Sequence, residues 1–149
     1  MQLHIGDKAP DFTGKDQDGH SITLSSYQGK KVILYFYPKD DTSGCTTQAC
    51  NLRDNENDLR QHGFEVIGVS TDNEKSHQKF ITKYQLPFPL IADTDKEIVA
   101  LYDVWKEKSM YGRKYMGTMR TTFIIDEHGI IADIIGKVDT STHTKQILK

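Results

Sequence analysis

Long apolar runs are absent from this chain. The longest, Val32-Ile33-Leu34-Tyr35-Phe36-Tyr37, has six residues, far short of the ~18 needed to cross a bilayer. The first ten residues, Met1 to Pro10, hold no apolar stretch of signal-peptide length. A soluble, cytoplasmic protein without a membrane partner is therefore expected. An excess of either charge is missing too, since 19 Lys and Arg face 21 Asp and Glu for a net charge of −2. That removes a global electrostatic case for nucleic acid or an anionic surface. Only two cysteines occur, so no disulfide framework replaces a core; such a pair is more often catalytic or metal-binding than structural. With four prolines, no Pro/Gly/Ser-rich linker and no internal repeat, a single domain over residues 1–149 is expected. The apolar share is low at 36%. Leu, Ile, Val and Phe nevertheless exceed the ~20% level below which disorder is the default, and they cluster.

Those clusters alternate between two periods. Phe12 and Ile22 flank Asp16-Gln17-Asp18-Gly19, an Asp-Gly hairpin signal. Ser25–Gly29 reads as a helical turn closed by glycine. Val32–Tyr37, β-branched and aromatic, reads as a buried central strand that Pro38 stops. A polar loop, Lys39–Gly44, leads into a helix expected over Cys45–His62 with Gly63 beyond its end. Phe64–Ser70 is a second buried strand. Asp72 is expected to cap a helix carrying Phe80, Ile81 and Tyr84 on one face, and Pro87 and Pro89 end it. Leu90–Ala92 is a short strand, and Ile98, Leu101 and Tyr102 mark a short helix. Residues 106–118 are expected to be a polar loop. Thr121–Ile125 and Ile130–Ile135 flank Asp126–Gly129 as a hairpin, and a last helix covers about Thr142–Leu148. The order is α/β, implying a mixed central sheet flanked by helices. It resembles a thioredoxin-like fold with an N-terminal β-hairpin extension.

The segment around the cysteines is the most informative. On a helix, Cys45 shares a face with Ala49, Leu52 and Leu59, whereas Cys50 shares one with Asp54, Asn57 and Gln61. Cys45 is thus expected inward and Cys50 toward solvent. Five helical residues separate their Cα atoms by roughly 8.7 Å, and a disulfide needs ~7 Å or less. A static bond is disfavoured; a redox cycle coupled to unwinding of the first turn is the sharper reading. Cys45 also opens the helix, where unpaired N–H groups and the helix dipole favour a thiolate. Thr42 lies three residues before it, within reach of the same site, with a hydroxyl that both donates and accepts. Asp40 and Asp41 would oppose the thiolate if they pointed inward, so a compensating cation is expected. Arg120, immediately before the buried strand Thr121–Ile125, is the best candidate.

Pro38-x-x-x-Thr42-x-x-Cys45, with a second cysteine at Cys50, resembles the peroxidatic motif of peroxiredoxins of the PrxQ, or bacterioferritin comigratory protein, subfamily. The likeness extends through Gly6–Phe12, Gly68–Asp72, Leu101–Trp105 and Arg120–Asp126. It implies that Cys45 is the peroxidatic and Cys50 the resolving cysteine. Thr42 would hydrogen-bond the thiolate and the peroxide oxygens, Arg120 would stabilise the developing charge, and Pro38 would shield the pocket. Gln48 falls where the family places a polar residue near the arginine. The implied substrate is a hydroperoxide, and the implied reductant is thioredoxin or a similar dithiol. A monomer is expected, with a dimer as the alternative, and no metal or organic cofactor.

Competing readings are a thioredoxin-like disulfide oxidoreductase, which usually carries Cys-x-x-Cys, and a non-enzymatic redox switch or metal module. None of His4, His20, His62, His77, His128 and His143 stands at zinc spacing from the cysteines, and each reads as a surface or turn residue. Gly112–Thr118 lacks the lysine of a phosphate loop. The basic stretch 106–120, with Tyr111 and Tyr115, reads as a loop bordering the site rather than a nucleic-acid groove. Trp105 reads as a packing residue.

Overall fold

The computed structural model describes residues 2–149. The leader forms a hairpin of β1 (Thr13–Lys15) and β2 (Ser21–Thr23), followed by a 3-10 turn at Leu24–Tyr27. The central strand β3 (Lys31–Phe36) lies parallel to β4 (Phe64–Ser70), which lies parallel to β5 (Leu90–Ala92). On its other side β3 runs antiparallel to β8 (Thr121–Ile125), itself antiparallel to β9 (Ile131–Ile135), giving the order β5-β4-β3-β8-β9.

Strand alternation in β3 builds both faces of the molecule. Val32, Leu34 and Phe36 enter one core with Phe12, Ile22 and Leu24 of the leader and with Ile98 and Val99 of α4 (Glu97–Leu101). Ile33, Tyr35 and Tyr37 enter the other. That second core takes Cys45, Ala49 and Leu52 from α1 (Ser43–Asp54), Leu59 from α2 (Glu56–Gln61), Phe80 from α3 (Glu74–Tyr84) and Ile147 from α5 (His143–Leu148). Each such large side chain contributes roughly 1.5–3 kcal/mol on burial. A continuous apolar β3 is therefore what two-sided coverage demands.

Four features depart from the sequence reading. The helix expected over 45–62 starts two residues earlier and breaks at Asn55, whose side-chain amide donates to the Asn51 carbonyl at 2.8 Å. A side chain bonding back onto its own helix in this way competes with the backbone ladder. The cap of α3 is Asn73, whose Oδ1 accepts the Ser76 N–H at 2.8 Å, rather than Asp72. Residues 106–118 are not a loop but most of a second hairpin, β6 (Trp105–Met110) and β7 (Arg113–Thr118). Its tight turn has positive φ at Tyr111 and Gly112, the backbone of the favoured two-residue connection. His77 and His143 are fully buried, not surface residues. Trp105 is half-buried against the first core, with the Lys96 ammonium 5.6 Å from its ring centre. Among the described residues no helix is long and apolar enough to cross a membrane.

Candidate active site

Pro38 closes β3, and the five residues to Thr42 carry the chain to α1. Two neighbouring aspartates fix this loop in different ways. Asp40 turns under α3, where its carboxylate accepts from Tyr37 Oη at 2.6 Å, Ser76 Oγ at 2.7 Å and His77 Nδ1 at 2.6 Å. Its own N–H donates to Asp72 Oδ2 at 2.8 Å, which also accepts from Ser70 Oγ. The other ring nitrogen of His77 faces the Ile91 carbonyl at 2.9 Å. Both ring nitrogens thus meet oxygens. Asp40 and His77 together must hold the two protons of an imidazolium–carboxylate pair or of its neutral equivalent. Although Asp40, Asp72 and His77 bring ligand-type atoms within 4.8 Å of one another, the 2.6 Å contact is a hydrogen bond. Asp41 has φ of 57° and an exposed carboxylate, which Lys83 Nζ meets at 2.8 Å and Tyr84 Oη at 2.9 Å. These two donors, lysine first, hold the Asp41 carboxyl below its usual range. Both carboxylates therefore have partners on α3.

Thr42 stands at the N-cap with extended backbone, and its carbonyl accepts from the Thr46 N–H at 2.8 Å. Its side chain does not cap the helix and is exposed; the hydroxyl donates to the Lys39 carbonyl at 2.8 Å. The hydroxyl proton is thereby committed, and the oxygen's acceptor capacity remains. The N–H groups of Ser43, Gly44 and Cys45 have no helical partner, as at any helix start.

Cys45 follows in this first turn, buried at 1% exposure. Arg120 Nη2 donates to its Sγ at 3.4 Å, while Nη1 donates to Gln48 Oε1 at 2.7 Å. Gln48, one turn after Cys45, is fully buried. Sheet register explains how a residue 75 positions away arrives here: Thr121 pairs with Phe36, so Arg120 emerges beside the end of β3. Gly44 permits the approach, because a Cβ there would lie 3.2 Å from Arg120 Nη2. A guanidinium held in two directions against sulfur favours negative charge on it.

Cys50 is half-buried, and both cysteines are free. The next residue, Asn51, ties α1 to the C-terminal segment: its Nδ2 donates to the Ser141 carbonyl at 2.9 Å, and its Oδ1 accepts from Thr144 N and Oγ1, each at 2.8 Å. Pro38 is half-buried at the end of the strand. Structure thus brings Cys45, Gln48 and Arg120 into contact and sets Thr42 at the rim with its hydroxyl turned to Lys39.

Sequence reasoning missed the anchor made by Tyr37, Asp72, Ser76 and His77. The pairing of a buried-strand tyrosine with the helix at Glu74–Tyr84 has no local signature. Lys108, in the basic stretch expected to border the site, lies on β6, half-buried and without a carboxylate partner among the described residues. Burial first, then the Arg120 charge, lower its ammonium's pKa, while Cys45 acts in the opposite direction. Lys106 of β6 and Arg120 line one cavity, so the β6–β7 hairpin borders the site.

Comparison with known proteins identifies the family. Residues 5–134 match the AhpC/TSA family. The chain is 45% identical over 148 residues to a putative peroxiredoxin bcp of Coxiella burnetii, covering 99% of this chain and 98% of that one. It is 42% identical to peroxiredoxin Bcp of Bacillus subtilis over 149 residues, covering 100% and 95%. Among solved structures, a Xylella fastidiosa PrxQ mutant superposes with a TM-score of 0.93 at 32% identity, covering 99% of this chain and 94% of that one. Xanthomonas campestris peroxiredoxin Q gives 0.86 at 34% identity, covering 92% and 87%. With its sheet, its helix-opening cysteine and its full-length relatives in agreement, the chain belongs to the AhpC/TSA family, among the peroxiredoxins of the Bcp, or PrxQ, kind.

Proposed function

We propose that this chain works as a single-domain thiol-dependent peroxidase in which Cys45 reduces hydroperoxides and Cys50 resolves the product. The observation that carries the assignment of residues is the Arg120 guanidinium bonded to a buried cysteine in the first turn of α1. The Cys45 thiolate attacks one peroxide oxygen, the O–O bond breaks, and the other oxygen leaves with a proton as water or an alcohol. Sulfur ends as sulfenic acid. Charge migrates from sulfur to the departing oxygen, and fixed donors along that path stabilise the transition state. Arg120 and the free N–H groups of α1 supply them. Thr42, its proton donated to Lys39, offers an acceptor for the peroxide O–H and orients it. This narrows the role expected from the sequence, since the hydroxyl does not also donate to the thiolate in this arrangement. Pro38 shields the pocket from water.

Resolution joins Cys50 to Cys45. The Cys50 thiol and the sulfenic acid condense to a disulfide, releasing water. Because five intact helical residues hold the two Cα atoms roughly 8.7 Å apart, and a disulfide needs ~7 Å or less, the first turns of α1 open for this step. A dithiol such as thioredoxin restores both thiols by exchange. The working form is a cytoplasmic monomer that needs no cofactor.

One equivalent of hydroperoxide, followed by mass and free-thiol assay, tests the scheme. Wild type loses two thiols per peroxide consumed, and Cys50→Ser holds one added oxygen on Cys45. Undiminished peroxide consumption by Cys45→Ser would falsify the assignment.

A further inference from the structure

Under α1 lies a hydroxyl that the scheme above does not use. Tyr35 is buried at 1% exposure, and its Oη has no hydrogen-bond partner among the described residues. Its ring cannot turn to find one. It stacks on Tyr37 at 5.3 Å, meets Phe88 edge-on at 5.9 Å, and lies so flat over Gly68 that a Cβ there would come within 3.0 Å of it. Tyr37, two residues on, has the same chemistry but a satisfied hydroxyl, bonded to Asp40 at 2.6 Å. The lack is therefore specific to position 35. Burial and the charges of Cys45, Asp40 and Cys50 push the Tyr35 pKa well up, with Arg120 opposing, so the group remains a donor throughout the working range. Its ring belongs to the core to which α1 contributes Cys45, Ala49 and Leu52. A second unpaired donor, Gln48 Nε2, sits one turn after Cys45. Gln48 is part of the helical segment that must open for resolution, and Tyr35 lies in the core which that segment helps to cover.

A buried donor without a partner penalises the state that buries it. Closed α1 imposes that penalty, and opening its first turns admits a partner. We propose that Tyr35 is a positioning residue of the resolving step: its unpartnered hydroxyl biases the first turns of α1 toward the open state in which Cys50 reaches Cys45. This rests on the peroxidase reading. No proton or electron passes through Tyr35. The Cys50 thiol is oxidised, the sulfenic sulfur is reduced, and oxygen leaves as water.

Tyr35→Phe removes only the hydroxyl. Stopped-flow kinetics then separate sulfenic acid formation from disulfide formation, and thermal unfolding reports the reduced fold. The expected result has three parts. Sulfenic acid forms at the wild-type rate, and the reduced protein melts higher. Disulfide formation slows roughly tenfold, the factor equivalent to about 1.4 kcal/mol. Slow resolution also raises the yield of sulfinic acid under excess peroxide, read as two added oxygens by mass. Two results overturn the proposal: a lower melting temperature, which means the hydroxyl has a partner in the closed state, and an unchanged or equally changed pair of rates. If wild type forms no Cys45–Cys50 disulfide, the peroxidase scheme fails first, and the proposal with it.

Discussion

Asp40 and Asp41 are adjacent and both bonded to α3, yet their removal should have very different consequences. Asp40→Ala strands two buried partners, Tyr37 Oη and His77 Nδ1, together with the half-buried Ser76 Oγ. His77 is fully buried and Tyr37 is 1% exposed, so water cannot replace the carboxylate. Removing one member of a buried pair costs about 3–5 kcal/mol. For a chain of this size that lowers the melting temperature by roughly 6–20 °C, at about 2–4 °C per kcal/mol. With a urea slope of about 2 kcal/mol/M, the midpoint falls by roughly 1.5–2.5 M. Asp40→Asn should lose less than half as much. Its amide donates to His77 Nδ1 with the ring neutral and the other nitrogen still donating to Ile91, and its carbonyl still accepts from Tyr37. Asp41→Ala should cost only about 1–2 kcal/mol, for placing alanine at a φ of 57°, because its pair with Lys83 is exposed. Peroxide reduction should follow the same order, since Asp40 fixes the loop that delivers Cys45. Equal, small shifts for the two alanine variants would refute the anchoring argument.

Arg120→Lys should fail to rescue Arg120→Ala, both losing roughly 10²–10³ in the rate of sulfenic acid formation, because one ammonium cannot bond Gln48 and Cys45 in two fixed directions. Gly44→Ala should separate stability from activity: alanine gains up to about 1 kcal/mol in a helix, while its Cβ, 3.2 Å from Arg120 Nη2, displaces the guanidinium and slows the peroxide step. Asn51→Ala should lower the unfolding free energy by about 1–3 kcal/mol and speed amide exchange in α5, since Thr144 and Ser141 lose their partners on α1. Burial lowers the His143 pKa below 6.5 against the opposing Gln146 bond. The unfolded chain therefore binds the proton first, and stability present at neutral pH falls as pH drops below about 6.5; His143→Gln should flatten that part of a urea-midpoint profile.

The sequence was most legible where one residue type answers one physical demand. Val32–Tyr37 had to be a two-sided strand, and β3 is that strand. The apolar stripe of Cys45, Ala49 and Leu52 had to face inward, and it does. The break at Asn55 was less visible, although Asp54-Asn55-Glu56-Asn57-Asp58 is a poor helix former. The β6–β7 hairpin was hidden for a different reason. Most side chains in it are exposed, so burial imposes no strict alternation, and Tyr111-Gly112 alone marked the turn. The environments of His77 and Asp40 were illegible because a bond spanning 37 residues depends on register between β3 and α3. Individual roles for Pro38 and Thr42 came from family likeness; local periodicity says nothing of them.

In the proposed cycle one helix serves two steps, and the distribution of anchors bears on how. The loop before α1 is held by Asp40 and Asp41 through α3, and α1 is held again at Asn51 through Thr144. Between those points lie the turns of Cys45 and Cys50, which carry the unpartnered Gln48 amide and help to cover the core that holds the unpartnered Tyr35 hydroxyl. Cooperative opening starts where local interactions are weakest. Opening confined to that stretch moves Cys45 relative to Cys50 while leaving the sheet, α3 and α5 in place. Arg120 enters from β8, outside the stretch. It can therefore meet the sulfur again when the turn re-forms, so the cycle ends in the geometry from which it began.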